Sequence, residues 1–251
     1  MKVCILSMQR INNTGSLLQS YALKKTIEQL GHEVEFLDIE KKEEDYSLLG
    51  DDRQKFREEL ETEGFIGKLK KIDRYAFNRV KVKRASLEQN RIFEVFRKDY
   101  LNIDHISPKY DACVIGSDEV FNCLNSGAWG FTSQLFGNVP EADKVITYAA
   151  SCGSTRYDEL PVKIADKIRQ AFQNVAAFSV RDQNTHDFVA KLTNKPVSNH
   201  LDPVLVYDFA REIEQVTLPK LPEHYCVIYS YYNRIHTSEE IEAIRAFCKK
   251  H

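Results

Sequence analysis

A chain of 251 residues, 43% hydrophobic and 29% charged, is long enough for one large α/β domain or for a domain and part of another. Its 35 basic and 37 acidic residues leave a formal net charge of -2, so neither a basic field for nucleic acid nor an acidic solvating tail is present. No apolar run approaches membrane-spanning length, residues 3–8 are too short for a secretory signal core, and no C-x-x-C pair occurs among the six cysteines.

The first apolar run, 3–8, reads as a strand buried on both faces. A helix is expected over 16–30, with Leu23, Ile27 and Leu30 on one face and Gly31 as its carboxy-terminal cap. A second strand over 33–39 completes a β-α-β unit, which makes the sheet parallel and the fold class α/β: a Rossmann-like sheet with flanking helices. From about 41 to 102 the chain is rich in Lys, Arg and Glu. Phe65, Leu69, Ile72, Phe77, Ile92, Phe93 and Phe96 recur there at loose helical spacing, as in an inserted set of amphipathic helices.

Strands resume at 112–115, with a turn at Gly116-Ser117-Asp118, and at 145–150, ending at Ser151-Cys152-Gly153. A helix is expected over 161–172, a strand to Val180, a polar turn at Arg181-Asp182 and a helix from about Thr185. "HLDPVLVYD" reads as a short edge strand interrupted by Pro203. Cys4, Cys113 and Cys226 fall inside strand-like runs and read as small buried hydrophobes of a reducing, cytoplasmic compartment, with no metal site among them. The polar stretch 210–224, with Pro219 and Pro222, reads as a linker after a first domain of residues 1–209. Residues 225–251 then read as one strand and one helix, the first β-α unit of an incomplete second α/β domain.

Polar residues cluster where strands should end. In open parallel sheets ligands bind outside the carboxyl ends of the strands, where helix amino termini converge. Four groups qualify: residues 12–16, 116–118, 151–153, and Arg181-Asp182. Each also has a plain structural role. Asn, Ser and Thr at a helix start commonly cap it, Gly-Ser-Asp commonly makes a turn, and Arg181 can pair with Asp118 or Asp182. A strand-end arginine nevertheless suits a carboxylate or phosphate.

Taken in order, "NTGSLLQSYAL", "RIFEVFRKDYL", "YDACVIGSDEVFN", "ITYAASCG", "FSVRD" and "LDPVL" resemble the polysaccharide pyruvyl transferase family over nearly the whole chain. The resemblance implies a GT-B-type architecture of two Rossmann-like halves facing a cleft. It also implies a reaction in which phosphoenolpyruvate gives its enolpyruvyl carbons to two hydroxyls of a sugar as a ketal, with no metal or redox cofactor. Such chemistry needs donors for carboxylate and phosphate, an acid for the methylene carbon and a base for the hydroxyls.

On that resemblance Arg181 grips phosphoenolpyruvate, and Asp118 contacts the sugar or acts as base. Asn13, Gly15, Ser16, Gly116, Ser117 and Ser151 supply further contacts to phosphate or sugar. The acceptor is a sugar or lipid-linked oligosaccharide for cell-surface or exopolysaccharide synthesis, met in a bacterial cytoplasm at the inner face of the membrane. His105, His186 and His200 are candidate acids, each also readable as a surface or capping residue. The family's Arg-x-His motif of the second domain is not met before His251, so the expectation is a fragment inactive alone, whose tail either packs on the first domain or exposes Val227, Ile228, Ile244 and Phe247, giving a dimer or poor solubility. Two other readings stand beside this one: a non-catalytic sugar- or partner-binding half, and a nucleotide-sugar glycosyltransferase of the same architecture.

Overall fold

The computed structural model describes residues 1–40, 87–124, 130–217, 220–228, 230 and 235–250. They divide into two compact units, Met1–Tyr207 and Asp208–His251.

The first unit is built on six parallel strands: β1 (Lys2–Leu6), β2 (Glu33–Phe36), β3 (Ala112–Asp118), β4 (Val145–Ala150), β5 (Val175–Val180) and β6 (Val197–Asn199). They lie in the order β2-β1-β3-β4-β5-β6. Its described α-helices are α1 (Thr14–Gln29), α2 (87–96, widening into a π turn over Arg97–Leu101), α3 (Val162–Phe172), α4 (Gln183–Ala190) and α5 (Pro203–Val206), with short 3-10 turns at Ser133–Phe136 and Tyr157–Glu159. The expected α/β class is the one observed.

β1 is continuous in apolar residues because both its faces are covered; Cys4, Ile5 and Leu6 are fully buried. α3 turns Ile164, Ala165, Ile168, Ala171 and Phe172 inward at one-turn spacing. Phe172 then meets Phe121, Phe136 and Phe178 in an aromatic cluster under β4 and β5. Each such ring contributes about 1.5–3 kcal/mol by leaving water.

Several boundaries differ from expectation for local reasons. α1 starts at Thr14 because Asn13 caps it, its side chain accepting from the Gly15 and Ser16 amides. Its end follows the glycine rule, with Gly31 at φ 84, but Leu30 is 69% exposed and takes no part in the buried face. β2 stops at Phe36, and Asp38 turns to receive two hydrogen bonds from Arg10. α4 starts at Gln183, capped by Asp182. Gly116, Ser117 and Asp118 are not a turn: β3 runs through them to pair with β4. "HLDPVLVYD" is not a strand either. β6 lies just upstream, and Pro203 opens α5, where a proline costs no helical hydrogen bond.

Within the inserted segment, Phe65, Leu69, Ile72 and Phe77 lie outside the described residues. Beyond them Phe93 is buried, Ile92 is exposed, and Phe96 and Tyr100 pack on Tyr21 of α1.

In the second unit, α6 (Ala210–Gln215) occupies the start of the stretch read as a linker. Residues 225–228 carry no strand, and of the rest of that expected strand 229, 231 and 232 lie outside the described residues. Cys226 is therefore exposed rather than buried in a sheet. α7 (Ser238–Lys250) carries Glu239 and Glu240 in its first turn and Lys249 and Lys250 in its last, which complements the helix dipole. Its start is a capping box. Thr237 Oγ1 accepts from the Glu240 amide, and Glu240 Oε2 accepts from the His236 and Thr237 amides. These bonds hold the Glu240 carboxyl down to about 2.

Candidate active site

The chain leaves β1 toward β2 on one side and later returns to lay β3 on the other, so the sheet changes direction between β1 and β3. Ligands of open parallel sheets bind in the crevice at such a switch point, outside the carboxyl ends of the strands. Register places the candidates there. Leu6 pairs with Ile115. Asp118 pairs with Ala150, Ala150 with Val180, and Val180 with Asn199. The next residues, Ser151, Arg181 and His200, therefore emerge at one edge.

The loop after β1 is fixed from two directions. Ser7 Oγ donates to the Ser117 carbonyl at 2.9 Å, joining β1 to β3 across the switch point. Arg97, only 1% exposed, reaches in from the end of α2. Its Nε donates to the Gln9 carbonyl (2.8 Å), and its Nη2 to the Arg10 carbonyl (3.1 Å) and Asn12 Oδ1 (2.6 Å). Its Nη1 donates to Glu94 Oε1 at 2.7 Å. The planar fork of arginine suits several fixed acceptors at once. Gln9 adds a bond from Nε2 to the Leu37 carbonyl.

That loop delivers Asn13 to the start of α1. Asn13 Oδ1 accepts from the Gly15 and Ser16 amides at 2.8 and 3.2 Å, and its carbonyl accepts from the Leu17 amide. These amides are thus engaged by the cap. The other helix starts at this edge are also capped from within: α4 by Asp182, through the Thr185 amide and hydroxyl, and α5 by Asp202, through the Val204 amide.

Asp118 is the least satisfied group here. It holds φ 88, a left-handed conformation that costs a non-glycine residue energy. Its Oδ1 accepts from the Glu119 amide at 2.8 Å. Its Oδ2 is buried without a hydrogen-bond partner among the described residues. Burial pushes this carboxyl above the usual aspartate range, while Ser16, the Glu119 amide and Arg181 draw it back. Gly116, two residues before, holds φ 119, and a β-carbon there would lie 2.3 Å from the Tyr148 carbonyl oxygen. Its place is thus set by the backbone of β4 rather than by any side-chain role.

Arg181 sits between two carboxylates. Nη1 donates to Asp202 Oδ2 at 2.7 Å, and Nη2 lies 3.9 Å from Asp118 Oδ1. Ser117 Oγ also points to Asp202 Oδ2, at 3.3 Å. Ser151 is turned to its neighbour strand: its Oγ donates to Asp182 Oδ2 at 2.8 Å and accepts from the Gly153 amide at 3.1 Å.

The structure thus brings Ser16, Ser117, Asp118 and Arg181 into one polar group. Asn13, Gly15 and Gly116 shape its walls, and Ser151 stands one step aside. Asp202 and Arg97 are the members that sequence reasoning left unassigned. Asp202 carried a signal, an aspartate directly before a proline, which reads as a helix cap. Arg97 lies inside the "RIFEVFRKDYL" segment that carries the family resemblance, but its spacing gives no sign that it binds the loop after β1. Of the candidate acids, His105 lies 3.5 Å from Glu35, which also binds Lys2 at the opposite, amino-terminal end of β1. His186 sits a turn into α4 beside Asp187. His200 emerges at the site edge.

Chemically, the cluster offers a buried carboxylate oxygen, Asp118 Oδ2, with no donor among the described residues, beside a cation already held by one carboxylate. A hydroxyl group matches that acceptor. Among the described residues no helix is long and apolar enough to cross a membrane.

A family model described as polysaccharide pyruvyl transferase matches residues 13–249. No curated protein and no solved structure matches the chain.

Proposed function

From a chain that belongs to the polysaccharide pyruvyl transferase family, a transferase family acting on sugar polymers, we propose an enzyme that moves the enolpyruvyl carbons of phosphoenolpyruvate onto two hydroxyls of a sugar acceptor. The product is a cyclic pyruvate ketal, and the leaving group is phosphate. Asp118 accepts the hydrogen bond of an acceptor hydroxyl and takes its proton as carbon–oxygen bond formation begins. The observation that carries this is the buried, unpartnered Asp118 Oδ2, next to Arg181 and Ser16 at the switch point. A carboxyl pushed upward by burial is better matched to proton transfer near neutrality than an exposed one.

Arg181 orients the donor. A guanidinium has five N–H groups, and its bond to Asp202 and approach to Asp118 leave others for a carboxylate or phosphate. Ser117 and Ser151 brace the same edge through Asp202 and Asp182, and Asn13, Gly15, Ser16 and Gly116 hold its shape. The acceptor is a sugar or lipid-linked oligosaccharide bound for cell-surface or exopolysaccharide synthesis, met in a bacterial cytoplasm at the inner face of the membrane. A GT-B-type arrangement belongs to the same proposal, as does self-association through Val227, Ile228, Ile244 and Phe247. The engaged amides at the start of α1 weigh against a nucleotide-sugar donor, whose diphosphate needs free N–H groups.

The test is phosphate release from phosphoenolpyruvate by the purified protein with sugar acceptors, followed by detection of the acid-labile ketal. Release that depends on the acceptor and is lost in Asp118→Asn supports the assignment. Equal rates in wild type and Asp118→Asn remove Asp118 from the mechanism.

A further inference from the structure

Ketal formation needs an acid as well as a base, because the methylene carbon of the donor must become a methyl group. We propose that His200 is that acid, with Ser179 holding its ring in place; this rests on the donor reading above.

His200 follows β6 at the edge where Asp118, Ser151 and Arg181 lie, and its amide donates to the Val180 carbonyl at 2.9 Å, which fixes its backbone. The residue is exposed, and its Nε2 is left for a ligand in this proposal. Its Nδ1 lies 2.9 Å from Ser179 Oγ. Ser179 is buried, and its Oγ already accepts from the Ala149 amide at 3.0 Å. The Ser179 backbone is in turn clamped by Thr147, whose Oγ1 accepts from the Ser179 amide and donates to its carbonyl. Ala149 takes φ 46, a costly conformation for alanine that aims its amide at this hydroxyl.

A serine hydroxyl has one proton and two lone pairs. With neutral His200 it donates to Nδ1. With the imidazolium it turns and accepts from Nδ1–H while keeping the Ala149 bond. The ring therefore keeps one orientation through the loss and return of a proton at Nε2. The other face of the ring stacks near Tyr148, centroids 5.9 Å apart and planes at 28°. His200 stands two residues before Asp202, whose carboxylate accepts from Arg181, so it borders the described cluster. His105 and His186 share neither feature: one lies at the far end of the sheet, and the other has a carboxylate neighbour on its own helix.

The steps balance. The Nε2–H bond of the imidazolium breaks as a C–H bond forms at the methylene carbon, using the electron pair of the enol double bond. The adjacent carbon becomes cationic. The first sugar hydroxyl bonds to it and gives its proton to Asp118. The second hydroxyl then displaces the phosphate, which leaves with the electron pair of its carbon–oxygen bond and takes the proton from Asp118. The proton of the second hydroxyl returns to His200.

The experiment compares wild type, His200→Asn and His200→Ala for phosphate release from phosphoenolpyruvate with the acceptor. Losing a general acid lowers kcat about 10²–10⁴-fold. The expected result is a loss in that range for both variants, KM within a few-fold, an unchanged melting temperature, and partial recovery of His200→Ala by added imidazole. An active wild type with His200→Asn within twofold of it overturns the role of His200 and leaves the donor reading standing. A wild type that releases no phosphate overturns the donor reading and this inference together.

Discussion

Arg181 Nη1 lies 2.7 Å from Asp202 Oδ2, while its Nη2 stands 3.9 Å from Asp118 Oδ1. The arginine is tied to the helix start across β6 and only leans toward the strand end across β4. Arg181 and Asp202 are 26% and 24% exposed, so their ion pair contributes no more than about 1 kcal/mol to stability. Removing Arg181 should therefore harm binding more than folding. Arg181→Ala is expected to weaken phosphoenolpyruvate binding roughly a hundredfold, about 2–3 kcal/mol. Calorimetric binding and thermal melting on the one variant separate the roles. A large fall in melting temperature with unchanged affinity makes Arg181 purely structural.

Gly116 and Gly31 both have positive φ, yet their substitutions should differ sharply. An alanine at Gly31 meets nothing within 4 Å, so only the left-handed backbone opposes it, at about 1–2 kcal/mol. At Gly116 the new carbon would lie 2.3 Å from the Tyr148 carbonyl oxygen, and β3 and β4 would have to separate. Strain and overpacking together should cost roughly 2–5 kcal/mol. Urea unfolding of both alanine variants ranks them, and equal losses would contradict the close strand approach.

Glu35 gives the fold an acid-sensitive point away from the site. Although burial opposes its charge, hydrogen bonds from Lys2, Tyr110 and Ser107 hold its carboxyl below the usual 4.5. A depressed carboxylate stabilises the fold above its unfolded value and loses that contribution as pH falls through its folded value. Glu35→Gln should thus cost stability at pH 7, about 1–3 kcal/mol, and the difference from wild type should shrink below about pH 4. Chemical denaturation at both pH values checks it; a gap that widens on acidification has the wrong sign.

Asn13→Ala should remove the α1 cap and cost about 1 kcal/mol. Amide exchange should then speed up at Gly15 and Ser16, whose N–H groups lose their acceptor. Unchanged protection at both residues would mean that another group caps the helix.

The parts of this fold that were legible in the sequence depend on near neighbours. β1, β4, β5 and α3 announce themselves by unbroken apolar runs or one-turn spacing, and Asn13 by its place before a helix. The β-α-β order then locates the carboxyl edge. What stayed hidden depends on register. That Arg181 meets Asp202, 21 residues on, follows only once β5 and β6 are paired. Pro203 suggests a broken strand, whereas it opens a helix, so the strand reading hides the capping role of Asp202. Ser179 was unremarkable in sequence because its value lies in what Ala149, Thr147 and His200 do around it.

Arg97 carries a consequence for the order of assembly. The loop it binds is 85 to 88 residues earlier in the chain. As the polypeptide emerges, β1, α1 and β2 are complete long before Arg97 exists. Until α2 docks, the carbonyls of Gln9 and Arg10 must be served by water, and Asn12 is unanchored. Closing so long a loop is slow compared with forming a local helix. The loop at the carboxyl end of β1 therefore takes its final hydrogen bonds late, after the strand behind it has been made.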